Sequence, residues 1–143
     1  MYMSIKKRTG QNAPLFVFHF LDQKDFEGFC ANMELYANYA REGMKAQGFD
    51  DYEPDMLLDK LERLKSRVDD RYADENYALS GCLFEDEAEI FFNTLFVVQF
   101  YSSSYLLGKQ NEALDMLISA QNEHLDTLRE YNELLEETAN PEK

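Results

Sequence analysis

The apolar positions of this chain recur at intervals of three and four residues over most of its length, which is the spacing of a helix with one buried face. The first such stretch covers residues 23–47 and ends just before Gly48, a natural helix terminator. A second covers residues 54–72, where Pro54 suits the first helical position and Asp55 suits the positive end of the helix dipole. We predict a helix over each range.

The longest uncharged run, residues 90–108, predicts a third and very apolar helix over about 84–107. The run is 19 residues long, which is enough to span a bilayer, but six of its residues are polar and acidic residues precede it. We therefore expect no membrane span. A helix that is apolar on most of its surface is one surrounded by protein, so we expect this helix at the centre of the fold.

A fourth periodic stretch predicts a helix over residues 111–137, after Gly108. Residues 73–82 read as a connector. The segment PLFVFHFL, residues 14–21, is too short for its pattern to distinguish a strand from one or two helical turns.

Short connections between long helices favour antiparallel neighbours. We therefore predict an all-α fold, an antiparallel bundle of four to five helices whose central helix is the very apolar one. The bundle forms a single domain over residues 14–137, preceded by a loosely ordered N-terminus over 1–13 and followed by a frayed tail over 138–143.

The net charge of −14 comes almost entirely from the second half of the chain. Residues 1–72 hold 13 acidic and 11 basic residues, a net charge of −2, whereas residues 73–143 hold 15 acidic and 3 basic residues, a net charge of −12. Such a surface repels nucleic acid and anionic membranes and attracts basic proteins. We expect a basic protein partner, and no direct contact with nucleic acid or with a membrane.

Four of the acids immediately precede the uncharged run: Glu85, Asp86, Glu87 and Glu89. Carboxylates in the first turn of a helix interact favourably with the helix dipole, by roughly 0.3–1 kcal/mol each, which explains them without any binding role. The alternative is that they form a secondary acidic patch for a partner.

The fourth predicted helix carries a carboxylate stripe, a row of acids on one face. On a helical wheel seven of its eight acids fall within about 60° of Asp126, opposite an apolar face; the seven are Glu112, Asp115, Glu123, Asp126, Glu130, Glu133 and Glu137. Like charges at such spacings cost roughly 0.2–0.5 kcal/mol per pair. We interpret the stripe as a binding surface, because a row of negative charges resembles a phosphate backbone and attracts a basic groove.

No pattern of catalytic or metal-ligating residues stands out. His19 and His124 lack the Glu-x-x-His spacing of a di-iron bundle, and Cys30 and Cys82 stand apart, without zinc-site spacing. The chain also lacks a Gly-x-Ser-x-Gly elbow and a Gly-rich phosphate-binding loop. We expect a cytoplasmic protein with two reduced thiols, no metal site, no cofactor and no enzymatic activity.

The leading hypothesis is a non-enzymatic helical binding module that inhibits or neutralises a basic partner, such as a nuclease, another nucleic-acid-binding protein or a toxin. It would be of the toxin-immunity or nucleic-acid-mimic type, and the carboxylate stripe would dock the partner. The alternative is a homodimer, or a bundle that holds an apolar ligand, in which the acidity serves only solubility. That alternative would use the aromatic residues Phe91, Phe92, Phe96, Phe100 and Tyr101.

Overall fold

The computed structural model describes residues 1–6, 14–50, 52–69, 76–109 and 129–136. Their elements, in chain order, are β1 (Tyr2–Lys6), β2 (Leu15–Phe20), α1 (Gln23–Ala46), α2 (Tyr52–Lys65), β3 (Leu79–Phe84) and α3 (Glu85–Lys109). Residues 129–136 are also helical and are called α4. The prediction of an all-α bundle is therefore wrong, because an antiparallel sheet accompanies the helices and makes this an α+β fold.

The sheet has the order β1–β2–β3, with β2 in the centre and both neighbours antiparallel to it. All six residues of β2 are buried, so both of its faces are covered, and five of the six are apolar. Phe16 and Phe18 point into the main core, whereas Leu15 and Val17 form a second, small cluster with Cys82 on the opposite face. Residues 14–21 were ambiguous for this reason: a strand covered on both faces loses the polar alternation that identifies strands.

The two outer strands occupy segments that the pattern did not mark as strands. β1 lies within the expected loosely ordered N-terminus and pairs with β2 in the register Met3↔Phe18. β3 overlaps the expected connector and pairs with β2 in the register Val17↔Cys82. β1 and β3 form strands because each pairs with the backbone of β2. The partner of β3 is distant in sequence, so a local pattern does not reveal this pairing.

The first and third predicted helices are confirmed. The Asp22 carboxylate accepts a hydrogen bond of 2.8 Å from Asp25 N and so caps the start of α1, and Gly48, with φ of 75°, follows its end. α2 stops at Lys65, short of the predicted residue 72, because the chain then returns to the sheet, where Asp69 forms a bridge with Ser80. Of the predicted fourth helix, only α4 lies within the described residues.

The helices pack on the face of the sheet that carries Phe18. The Phe18 ring lies 6.2 Å from the ring of Phe29 in α1 and 5.9 Å from the rings of Phe91 and Phe92 in α3. α1 approaches α3 closely at Gly43, which has no side chain to prevent the contact. A Cβ added there would lie only 2.9 Å from the carbonyl oxygen of Tyr101. Among the described residues, no helix is both long and apolar enough to cross a bilayer.

Candidate functional site

β3 leads directly into α3, so four carboxylates gather at the point where the strand ends and the helix begins. Phe84 is the last residue of β3, and Glu85, Asp86 and Glu87 form the first turn of α3. The positive end of the helix dipole lies here and favours negative charge. The four acids do not share one environment, however: Glu85, Asp86 and Glu89 are exposed, whereas Glu87 is buried.

Glu87 has a structural role. Its two carboxylate oxygens accept hydrogen bonds of 2.6 and 3.1 Å from the Arg67 guanidinium, and Oε1 also accepts one of 2.9 Å from Phe84 N. The bond to Phe84 N is one half of a capping box, in which the third helical residue reaches back to the residue that precedes the helix. Arg67 also lies 4.7 Å from the centre of the Phe84 ring. Glu87 therefore joins the chain after α2 to the start of α3.

The surroundings of Glu87 keep it ionised. Its burial acts to raise the carboxyl pKa, but the hydrogen bonds from Arg67 and Phe84 N, together with the positive charge of Arg67, outweigh that effect and lower the pKa. In the same pair, the hydrogen bonds to Glu87 raise the pKa of Arg67 against the opposing effect of burial, with a smaller contribution from the nearby negative charge of Asp86.

The other predicted acids belong to the carboxylate stripe, of which α4 carries Glu130 and Glu133. Glu130 Oε2 accepts a hydrogen bond of 3.2 Å from Met3 N in the edge strand β1, so Glu130 also has a structural role. Glu133 is exposed. The remaining members of the stripe lie outside the described residues: Glu112, Asp115, Glu123, Asp126 and Glu137.

α4 packs beside the acidic start of α3. Its buried Tyr131 stacks on Phe92 of α3, with ring centres 4.1 Å apart and planes 18° apart, and lies 5.4 Å from the Phe16 ring. Burial, and then the negative charges of Glu89 and Glu85, raise the pKa of Tyr131 to about 12. Two acids of α3, Glu85 and Glu89, therefore lie near Tyr131 of α4, although they are far from it in sequence.

We use the name acidic face for three exposed carboxylates of α3 and the exposed member of the carboxylate stripe on α4: Glu85, Asp86, Glu89 and Glu133. Among the described residues, none of the four takes part in a salt bridge. Arg41 of α1, Lys60 and Lys65 of α2, and Arg67 just after α2 form salt bridges with other acids. From Glu85 to Gly108, α3 contains four acids and no base.

The outward face of α3 continues from the acidic face into exposed aromatic residues. Phe96 is 67% exposed and Phe100 is 61% exposed, one helical turn apart. Tyr101 is half-buried beside them, with its ring 5.2 Å from that of Phe100 and 5.8 Å from that of the exposed Phe49. The aromatic residues of the alternative hypothesis are thus divided, because Phe91 and Phe92 belong to the core.

A polar contact that the sequence pattern did not reveal links β1 to β2. Ser4 Oγ and His19 Nε2 are 2.8 Å apart, and the Tyr2 ring stacks on His19 with centres 4.5 Å apart. Pairing of the first strand brings these residues together, so their separation in sequence gave no signal. A serine next to a histidine resembles a nucleophile with its base, but His19 is only 5% exposed. We interpret this contact as part of the sheet.

The thiols and carboxylates offer little for catalysis or for a metal ion. Cys30 and Cys82 are both buried, and burial, as the largest cause, raises the pKa of Cys30 to about 11, which keeps it a thiol. Within the described ranges, no group of three or more His, Cys, Asp or Glu residues is placed to hold a metal ion.

Comparison of this chain with protein-family models, with curated proteins and with solved structures finds no match. The acidic face and the exposed aromatic residues next to it form the candidate functional site.

Proposed function

We propose that this chain is a non-enzymatic acidic binding protein that inhibits or neutralises a basic protein partner, which it docks through the acidic face. The partner would be a nuclease, another nucleic-acid-binding protein or a toxin, as in toxin-immunity pairs and nucleic-acid mimics. The observation that carries the proposal is that α3 exposes three carboxylates, with no base before Lys109, and that α4, which carries the exposed Glu133, packs against α3 through Tyr131.

The energetics support a binding role for these carboxylates. Dipole attraction explains acids in the first turn of α3, at roughly 0.3–1 kcal/mol each, but not the exposed Glu133 of α4. Placing like charges near one another costs stability, and a partner with complementary charge would offset that cost. The acidic face would also speed association with a basic protein by electrostatic steering, to an extent that falls as salt rises.

The proposal includes a cytoplasmic location. Cys30 and Cys82 are buried thiols rather than a disulfide, as is usual in a reducing compartment. A partner that acts on nucleic acid in the same compartment would have to be held inactive there, which gives an inhibitor a role.

Charge reversal on the acidic face tests the proposal. The partner is first recovered from the native host at low salt and eluted with a salt gradient, and its binding to purified variants is then measured directly. The test variant combines Glu85→Lys, Glu89→Lys and Glu133→Lys. The control variant combines Glu27→Lys, Glu42→Lys and Asp59→Lys, which are exposed on α1 and α2. Each substitution adds two charges, so both variants change the net charge from −14 to −8.

We expect the test variant to slow association with the partner by about tenfold or more at low salt, while the control variant changes it little. Both variants should fold, because their altered side chains are exposed. Equal losses in the two variants would mean that only total charge matters, and unchanged binding in both would rule out an electrostatic interface. Either result would contradict the proposal.

A further inference from the structure

The outward face of α3 carries a continuous row of exposed side chains. Glu89, Asn93, Phe96 and Phe100 follow one another at spacings of four, three and four residues, and all four are exposed. Residues at such spacings lie along one side of a helix. The eleven steps from Glu89 to Phe100, at about 1.5 Å each, give this row a length of roughly 16 Å, or about three helical turns. We call these four residues the outward row.

The aromatic end of the outward row contributes little to the fold. Phe96 and Phe100 lie outside the main core cluster, which holds the other apolar face of α3. With the exposed Phe49, joined to them through Tyr101, they form a group of exposed aromatic rings. Contiguous apolar patches of this kind, rimmed by polar residues, mark interaction sites on soluble proteins.

The negative charge at one end of the outward row indicates which kind of partner would cover it. A second copy of this chain would bring another net charge of −14 against the acids at the start of α3, which is repulsive. An apolar segment without charge would leave Glu85 and Glu89 without partners. A segment that is both basic and apolar can pair with the acids at one end of the row and cover the phenylalanines at the other. Its basic residues can also lie over aromatic rings, as Arg67 does over Phe84 in this protein.

We propose that the outward row docks a basic amphipathic helix of the partner protein, aligned along α3. Its basic side chains contact Glu85 and Glu89, and its apolar side chains cover Phe96 and Phe100, in the manner of helix recognition by apolar anchors. This inference rests on the proposed function and makes it more specific: the partner is held by apolar contact as well as by charge. A pure mimic of nucleic acid would use the carboxylates alone.

Two synthetic peptides of 18 residues test the inference. Both have the same content of lysine, leucine and alanine; one has its leucines on a single helical face, and the other has them in scrambled order. Binding of labelled peptides is measured at moderate salt to the wild type, to Phe96→Ser/Phe100→Ser, to Glu85→Lys/Glu89→Lys and to Leu21→Ser. Leu21 is the matched control, because it is 54% exposed and outside the outward row.

We expect the amphipathic peptide to bind the wild type about tenfold more tightly than the scrambled peptide, because apolar anchors dominate such contacts. Phe96→Ser/Phe100→Ser should abolish that preference, and Leu21→Ser should keep it. Glu85→Lys/Glu89→Lys should weaken both peptides. Amide exchange should show that the amphipathic peptide protects α3.

Equal binding of the two peptides to the wild type, or equal losses in Leu21→Ser and Phe96→Ser/Phe100→Ser, would overturn the inference. A wild-type dimer in solution that Phe96→Ser/Phe100→Ser converts to a monomer would overturn it too, since a second copy would then be the occupant. The recovered partner separates the two proposals. If the acidic-face variant weakens its binding and Phe96→Ser/Phe100→Ser does not, only the inference fails. If neither variant affects its binding, the proposed function fails as well.

Discussion

The inward and outward faces of α3 contain the same types of residue in different surroundings. Phe91 is fully buried among aromatic rings, whereas Phe96, five residues later, is 67% exposed. Glu87 is held by Arg67 and by Phe84 N, whereas Glu89, two residues later, is exposed. The comparison separates residues that hold the fold together from those that remain available for a partner, a distinction that residue type alone does not make.

The largest difference in stability is expected between substitutions of the buried Phe91 and of the exposed Phe96. We expect Phe91→Ala to lower the free energy of unfolding by roughly 3–5 kcal/mol, because it leaves a cavity among the rings of Phe18 and Phe29. Phe96→Ala should change it by no more than about 0.5 kcal/mol, since the side chain is already in water. Urea unfolding measures both. Similar losses at the two positions would show that the outward face is covered in the folded protein.

Substitutions of Glu87 and Glu89 should differ less in their effect on the free energy of unfolding. Glu87→Gln removes a charged hydrogen-bonding partner of Arg67, and we expect a loss of about 1–2 kcal/mol in the free energy of unfolding, reduced by partial exposure of the pair. Glu89→Gln should be close to neutral, and serves as the control on the same helix. If the two variants were equally stable, the pair between Arg67 and Glu87 would contribute nothing measurable.

The same pair gives a pH dependence with a defined sign. Because folding lowers the pKa of Glu87, the stability it contributes is complete above the pKa that this carboxyl has in the unfolded chain. That contribution is lost as the pH falls through the lower, folded pKa. Unfolding measured across the acidic range should therefore show a smaller loss of stability in Glu87→Gln than in the wild type. If stability fell equally with pH in the wild type and in Glu87→Gln, folding would not lower the pKa of Glu87.

The helices were predictable from the sequence and the sheet was not, for physical reasons. α1 repeats its apolar residues at helical spacing over more than twenty positions, and α3 contains a long apolar run without charge, so both signals are strong. β2 has six residues buried on both faces and shows no alternation, and β3 contains Gly81 and Ser80. Strands so short are specified mainly by pairing, as between Leu15 and Phe84, which a local pattern cannot show.

The candidate site was predictable only in part. The acids at the start of α3 were identified as a group, but the orientation of the helix assigns Glu87 to Arg67 and leaves Glu89 exposed. Glu87 stands three residues after Phe84, which is the spacing of a capping box, but the Ser or Thr that identifies this motif in a sequence is missing. Nothing in the sequence distinguishes the exposed Phe96 from its buried neighbours, because α3 is apolar on nearly every side.

The smallest effect tests whether α4 packs beside the acids of α3. Burial is the main reason that the pKa of Tyr131 rises to about 12, and Glu89 and Glu85 add to it. Glu85→Gln/Glu89→Gln should therefore lower the pKa of Tyr131 while leaving it above the ordinary tyrosine value, as followed by phenolate absorbance. Glu136→Gln, on the same helix as Tyr131, should leave it unchanged. Because folding raises this pKa, the associated stability is present below the ordinary tyrosine pKa and is lost as the pH rises towards 12. An unaltered titration in Glu85→Gln/Glu89→Gln would place α4 away from these carboxylates, and the acidic face would then reduce to α3 alone.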